Sequence, residues 1–464
     1  MFAHLNPAFV PGLTDEERGM LTALIDEHRR HYSANRKKNR YYEGRVTLGE
    51  VNLGIALPHG MRGLEIGCAW GAKTVDVLAA RSMFDGFVGI DGNELPALDG
   101  IVAGNRLIPE YLKATRDELE YGCTFACLSK DLNPEVGCKI RFHSPMTAAA
   151  IWDGDKGRIA YGMAVIETAP DVDEFTRHSV SIVHFFTNDA VIVISRKGRN
   201  WETTRFPHKM GRPLMEPLVW NATSGKPFGR SRIKEPVRRL IQGYVRTIAN
   251  ATIGLEFSTA PQKYILGITD EQYDKIINDK FKQYVGNYLA STTNPDTGEK
   301  PTFGQLPQGT IQPHIDMLRA LSTQFSAATG LPVTDTGVVN DANPTSSDAI
   351  EAQTKTLVTM AQELNTGNGA ALSTIAQMAL AISRDVSLDD LSPEDRGIVA
   401  HFKNPALPSV AATADAAIKI ASVRQSFAET NTFLEMIGFD QADIRRINAQ
   451  EQRARGLALA DELA

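Results

Sequence analysis

The sequence predicts an α+β chain, and three observations carry that reading. Near the N-terminus apolar residues recur at helical spacing, as in Met20, Leu21, Leu24 and Ile25. From about Gly122 to Pro227 short apolar runs alternate with Gly, Asn, Asp and Pro, the texture of β-hairpins. After Gly229 the helical period returns. With 464 residues, 42% of them hydrophobic, the chain can bury a large core, as about three domains of roughly 150 residues or one elaborate one.

The elements follow in order. Thr14 caps a first helix, with Glu17 three residues on and Asp15 and Glu16 at the positive end of the helix dipole. Its apolar period predicts an end near Ala34. Lys73–Arg81, with Val75, Leu78 and Ala79 on one face, and Leu107–Glu120 read as further helices. Ile159–Ile166, Val180–Phe186 and Ala190–Ile194 read as strands separated by turn residues. Ile233, Val237, Leu240, Ile241, Tyr244, Val245 and Ile248 form one stripe of a helix over about 232–252, with Pro236 in its first turn. A strand over Gln262–Leu266, a polar helix over about Asp270–Leu289 and a long loop to Gly309 are expected next. Pro313 opens a helix carrying Ile315, Leu318, Leu321 and Phe325, which Gly330-Leu331-Pro332 ends. A polar loop follows, 334–344. Thr345-x-x-Asp348 then caps a helix carrying Ile350, Leu357, Val358, Ala361 and Leu364, and a separate helix spans about Ala370–Ser383. After a hinge at Lys403–Pro408 the chain is Ala-rich and helical.

Charge and composition exclude several classes. A formal net charge of −6 argues against gripping nucleic acid by charge alone. Two basic runs stand out locally. One runs from His28 to Tyr42; the other comprises Arg230, Arg232, Lys234, Arg238, Arg239 and Arg246. Such runs are solvated helix faces in most proteins, or contacts to an anionic partner. No apolar run approaches the ~18 residues of a membrane span, so no membrane contact is expected. No signal peptide is visible at Met1–Pro7, which predicts a cytoplasmic site of synthesis and assembly. Cys68, Cys123, Cys127 and Cys138 form no CxxC pair and read as small buried apolar residues. His28 and His31, at i and i+3 on a basic helix, read as solvated rather than ligating.

Enzyme motifs fall short. Leu64-Glu-Ile-Gly-Cys-Ala-Trp-Gly-Ala-Lys-Thr74, followed by Phe87–Asp91, resembles the nucleotide loop of S-adenosylmethionine methyltransferases, with Gly67, Gly71 and Asp91 in the cofactor roles. Ala69 replaces the middle glycine, however, and no run of βα units follows. Gly71-Ala72-Lys73-Thr74 lacks the glycine that a P-loop has before its lysine, and Gly229–Ile233 lacks the second glycine of a nucleophile elbow. No catalytic residue, metal ligand or cofactor is assigned.

Several phrases occur in a recognisable order. They are Tyr41-Tyr-Glu-Gly44, Trp70 with Thr74–Arg81 and Phe84–Phe87, Pro227-Phe-Gly-Arg-Ser-Arg-Ile233, Ala260–Gly267, Thr329-Gly-Leu-Pro332, Asn343–Ile350 and Ala414–Lys419. Together they resemble the Gp6-like portal proteins of tailed bacteriophages, in the branch found in phages of actinobacteria. The likeness covers nearly the whole chain and absorbs the methyltransferase-like glycines. It implies a portal fold: a wing of α/β texture with β-rich hairpins (1–229 and the long helices of 346–404), a two-helix stem (230–254 and 310–331), a small α/β clip (255–309), a tunnel loop (332–345) and a helical crown (405–464).

The resemblance also implies a structural, non-enzymatic role as a ring of about twelve subunits at one capsid vertex of a virion. The ring would carry genome DNA in during packaging and out during ejection, and serve as the head–tail connector platform. The implied partners are further copies of itself, double-stranded DNA, the terminase large subunit, major capsid and scaffold proteins, and head-completion or adaptor proteins. Asp335, Thr336, Asn340, Asp341 and Asn343 would face DNA from the tunnel loop. Arg230, Arg232, Lys234, Arg238, Arg239 and Arg246 would form a basic stem face. Lys263, Asp274, Lys275, Lys280 and Lys282 would lie in the clip, where terminase and connector dock. A ring of twelve would carry a formal charge of about −72, which repels phosphate at long range and lets DNA slide. Another phage head or tail component of the same texture is the remaining structural reading.

Overall fold

The computed structural model describes residues 2, 5–47, 65–90, 95–131, 133, 136–170, 178–259, 263–266, 298, 302–305, 310–338, 347–406, 410–439 and 441–462. Helix α1 (Asp15–Tyr42) starts on the expected capping box: the Glu17 amide donates to the Thr14 hydroxyl at 3.2 Å and the Thr14 amide to Glu17 at 2.9 Å. It runs past Ala34 because its polar end finds partners. Lys38 Nζ donates to the Tyr121 carbonyl at 2.8 Å and Asn39 to Glu120 at 3.2 Å. Strand β1 (Arg45–Thr47) pairs antiparallel with β2 (Glu65–Gly67), which leads into α2 (Trp70–Ala79).

Strand β3 (Phe84–Gly89), α3 (Pro96–Gly104) and α4 (Leu107–Tyr121) follow. The eight strands of the predicted hairpin region are then β4 (Cys123–Lys130), β5 (Cys138–His143), β6 (Ala148–Asp153), β7 (Arg158–Pro170), β8 (His178–Phe186), β9 (Ala190–Lys197), β10 (Asn200–Pro207) and β11 (Met215–Val219). Strands β6 to β10 make a five-stranded antiparallel meander, and β11-β4-β5 make a second sheet. Helix α5 (Glu235–Thr259) precedes a ribbon of β12 (Lys263–Leu266) and β13 (Thr302–Gln305). The expected helix over 270–289 lies outside the described residues.

Helix α6 (Gln312–Thr329) ends as its sequence predicts. Gly330 takes φ +71°, and its amide donates to the Ser326 carbonyl at 2.8 Å. Helix α7 (Ser347–Arg384) corrects an expectation, because 38 residues form one helix where two were predicted. Asn365, Gly367, Asn368 and Gly369 are poor helix formers, but tertiary partners of the two asparagines hold the middle turns. The Thr345 cap lies outside the described residues. Strand β14 (Ile398–Phe402) pairs antiparallel with β3, and α8 (Val410–Val423), α9 (Asn431–Ile437) and α10 (Gln441–Glu462) complete the expected helical C-terminal region.

Among the described residues three apolar cores result. One lies between the β11-β4-β5 sheet, α4 and the second half of α7. A second joins α2, α5, α6 and the first half of α7. The third packs the N-terminal residues and α1 on the five-stranded sheet.

Candidate functional site

The segment flagged for its glycines is the junction of the second core. The Trp70 ring lies 4.5 Å from Phe325 of α6, nearly parallel, and 4.6 Å from Tyr244 of α5. Its indole Nε1 donates to the Thr336 carbonyl at 3.0 Å, and Lys73 Nζ donates to the Asp335 carbonyl. Trp70 therefore ties the α5–α6 pair and the start of the following loop to α2. Gly71 is required by packing. A Cβ there would sit 1.9 Å from the Tyr41 carbonyl oxygen, so only glycine lets α2 approach the end of α1.

The methyltransferase alternative is overturned by the same geometry. β2 pairs only with β1 and β3 only with β14 among the described residues, both antiparallel, so the two strands do not neighbour each other in a parallel sheet. Asp91 lies outside the described residues.

The proposed tunnel-loop residues divide. Val333–Thr336 form a 3₁₀ turn. Thr336 is buried, with its hydroxyl donating to the Val333 carbonyl at 2.7 Å and lying 2.6 Å from the Ser322 hydroxyl. It is a loop anchor, which corrects its reading as a DNA-facing group. The Asp335 side chain is half-buried. Asn340, Asp341 and Asn343 lie outside the described residues.

The second basic run is not one face, which corrects the expectation. Arg232 precedes α5 and is buried; its Nε donates to the Thr74 carbonyl at 2.6 Å and its Nη2 to the Thr329 carbonyl at 2.7 Å. The guanidinium lies 5.7 Å from the Trp220 ring centre, and burial pushes its pKa down to about 10. This arginine is a structural tie between α2 and the end of α6. Arg238 and Arg239 pair with Glu235 at 2.5 and 2.9 Å. Arg246 is half-buried, while Arg230 and Lys234 are exposed. Lys263 opens β12, and Asp274, Lys275, Lys280 and Lys282 lie outside the described residues.

Burial dominates the titratable groups. Glu118 on α4 is fully buried, and desolvation pushes its carboxyl up to about 8. Asn368 of α7 donates to Glu118 at 2.8 Å and to the Tyr111 hydroxyl at 2.9 Å. Ser82 bridges the Tyr111 hydroxyl at 2.7 Å and Asn365 at 2.6 Å. Sequence reading missed this network; the only signal was a pair of asparagines beside glycines in an apolar helix. The four cysteines are free and buried, with Cys123 and Cys138 pushed up to about 12, so their thiols are inert. His28 is buried rather than solvated, and its Nε2 donates to the Met146 carbonyl at 2.9 Å. His31 lies 2.9 Å from Glu27. Among the described residues no cluster of His, Cys, Asp and Glu suits a metal, and no helix is long and apolar enough to cross a membrane.

Residues 21–456 match the model of a family described as "Phage portal protein, SPP1 Gp6-like". A portal protein of Mycobacterium phage D29 is 23% identical, the alignment covering 97% of this chain and 90% of the relative. A portal protein of Mycobacterium phage L5 is 24% identical, with 88% and 83% covered. Among solved structures, a chain from the neck of a native gene transfer agent particle, computed with C12 symmetry, has a TM-score of 0.46 at 12% identity, with 80% of this chain and 89% of that chain covered. A chain from the virion of a native gene transfer agent particle has a TM-score of 0.44 at 13% identity, with 77% and 85% covered.

Proposed function

This chain belongs to the SPP1 Gp6-like phage portal protein family, and from that membership we propose how its parts serve a ring at one capsid vertex. The observation that carries the function is the family match over residues 21–456. The role is structural: a channel for genome DNA during packaging and ejection, and a platform between head and tail. A head-to-tail contact repeated about an axis closes into a ring, and twelve copies is the stoichiometry proposed. On this reading α5 and α6 are the stem, residues 255–309 the clip that meets the terminase and then the adaptor proteins, and residues 332–345 the tunnel loop. Capsid and scaffold proteins are further partners, and assembly takes place in the host cytoplasm.

The pinned start of the loop supports that assignment. Trp70 and Lys73 hold the Thr336 and Asp335 carbonyls, so the residues after Thr336 leave from a fixed point beside both stem helices. Asp335, Asn340, Asp341 and Asn343 remain the proposed channel-facing groups. Acidic and neutral polar side chains there avoid a tight grip on phosphate.

Mass photometry with negative-stain imaging tests the ring. A species near twelve times the 50.7 kDa chain with a central hole is expected. A defined assembly without an axial opening, formed in the presence of scaffold protein, overturns the portal reading. Deletion of residues 336–342 tests the loop. Rings should still form while filled heads decrease, and undiminished filling overturns the loop assignment.

A further inference from the structure

Helix α7 serves two cores and crosses between them on poor helix formers. Leu357, Ala361 and Leu364 belong to the core shared with α5 and α6, whereas Ala371, Leu372 and Ile375 belong to the core under the β11-β4-β5 sheet. Between Leu364 and Ala371 the sequence is Asn-Thr-Gly-Asn-Gly-Ala, and Asn368 is its one buried residue. Two glycines and two asparagines disfavour a helix there, and no apolar side chain is buried to offset them. The side-chain contacts of Asn365 and Asn368 therefore tie these turns to the rest of the fold.

The hydrogens of those contacts can be assigned one by one. Asn368 Nδ2 gives one hydrogen to Glu118 Oε2 at 2.8 Å and the other to the Tyr111 hydroxyl at 2.9 Å. Ser82 Oγ donates to Asn365 Oδ1 at 2.6 Å, so the Tyr111 hydroxyl donates to Ser82 Oγ, 2.7 Å away. Each donor hydrogen of Asn368, Tyr111 and Ser82 is then used. Glu118 Oε1 and Asn368 Oδ1 are nevertheless both buried without a partner among the described residues. Turning the Asn368 amide over does not help, because its oxygen would then face Glu118 Oε2 with no hydrogen between them. One further proton, on the Glu118 carboxyl, serves both bare acceptors. The surroundings favour that proton. Tyr111 on the same helix and Cys123 on β4 are the titratable groups that feel the Glu118 charge, and burial keeps both neutral. Asp117 and Glu120 flank it along α4 and add no positive charge. Lys38 of α1 acts on Cys123 and Glu120, and among the described residues no cation acts on Glu118.

We propose that Glu118 is held as the neutral carboxylic acid and that its Oε1–H donates to Asn368 Oδ1, closing a two-bond acid–amide pair that latches the middle turns of α7 to α4. With the proton in place both polar atoms are satisfied, and α7 runs as one helix joining the α5–α6 pair to the β11-β4-β5 sheet. Loss of the proton leaves a buried carboxylate against an amide oxygen, and two bare acceptors drive the pair apart at the weakest turns of the helix. The carboxyl titrates near 8 in the latched state and near its ordinary 4.5 once open. The latch is therefore tightest below pH 4.5, loosens close to tenfold per pH unit between about 5 and 7, and levels off above 8. It belongs to one chain and stands whether or not copies form a ring.

The test compares the full unaltered chain with Glu118→Gln, whose carboxamide makes the same two bonds without titrating. Amide hydrogen exchange, corrected for its intrinsic pH dependence, reads the opening of residues 365–369. Between pH 6 and pH 7 that opening should rise about tenfold in the unaltered chain and stay level in Glu118→Gln. Infrared difference spectra at pH 7 should show the carbonyl stretch of a protonated carboxyl that Glu118→Gln lacks, and the band should fade as the pH passes 8. No such band overturns the proposal, because Glu118 is then ionised and its bare atom is met by water. The same pH course of exchange in both chains also overturns it, leaving a pair that only packs. Exchange at 365–369 that never departs from exchange at 376–380 shows global unfolding rather than a latch, and overturns it too. Should Glu118→Gln fail to fold, the comparison of 365–369 with 376–380 across pH in the unaltered chain carries the test.

Discussion

Replacing Trp70 separates two contributions that meet in one side chain. Trp70→Ala removes a buried indole together with its contacts to Phe325 at 4.5 Å and Tyr244 at 4.6 Å. Large aromatic-to-alanine changes in a core cost about 3–5 kcal/mol. Trp70→Phe keeps an aromatic ring between the two helices but loses the donor to the Thr336 carbonyl. An unpartnered buried acceptor costs about 1–3 kcal/mol, so phenylalanine should lose roughly a third to a half of what alanine loses. Against a total stability of about 5–15 kcal/mol, both losses are readable in a denaturant titration of the purified chain. The second readout is limited proteolysis. Trp70→Phe should speed cleavage after Thr336 out of proportion to its effect on global unfolding, because it frees the loop start while leaving the helix pair packed. Equal losses for phenylalanine and alanine would refute the separation of packing from anchoring. Unchanged cleavage in Trp70→Phe would refute the anchoring role itself.

Glu118 makes stability depend on pH. Its folded carboxyl titrates near 8 rather than 4.5, so its favourable contribution is complete below pH 4.5 and is lost as pH rises toward 8; at pH 7 the loss is about 3 kcal/mol. Glu118→Gln should remove that slope, and parallel stability curves for the two chains between pH 5 and 8 would contradict it. Gly71→Ala places a methyl 1.9 Å from the Tyr41 carbonyl oxygen and should lower the thermal midpoint or abolish soluble expression, whereas Gly154→Ala, with open space around it, serves as the neutral comparison. Arg232→Lys cannot reach the Thr74 and Thr329 carbonyls together and should cost about 2–3 kcal/mol in a denaturant titration; a loss within experimental error would show that the guanidinium fork is dispensable.

Much of the candidate site was visible as residues but not as roles. Trp70, Gly71 and Lys73 stood out because glycine and lysine in that spacing resemble a phosphate loop. Their actual work is close helix approach and carbonyl capture, which depends on Tyr41 and Asp335, residues far away in the chain. Arg232 counted as one charge of a basic run because burial is invisible to composition. The continuous α7 reads as two separate helices in the sequence, since local propensity cannot register that Ser82, Tyr111 and Glu118 wait to bond Asn365 and Asn368. His28 looked solvated for the same reason: its partner, the Met146 carbonyl, belongs to another element.

The sequence by itself determined the order of helices and hairpins, the Thr14 capping box, the Gly330 stop and membership of a family. These follow from local hydrogen bonding, backbone permissiveness and periodic burial, which act over a few residues at a time. Tertiary structure alone decided which buried polar groups are satisfied, that α7 is continuous, and that Glu118 and Asn368 meet. Those outcomes depend on desolvation and partner distance between segments up to hundreds of residues apart, and neither quantity exists until the chain is packed.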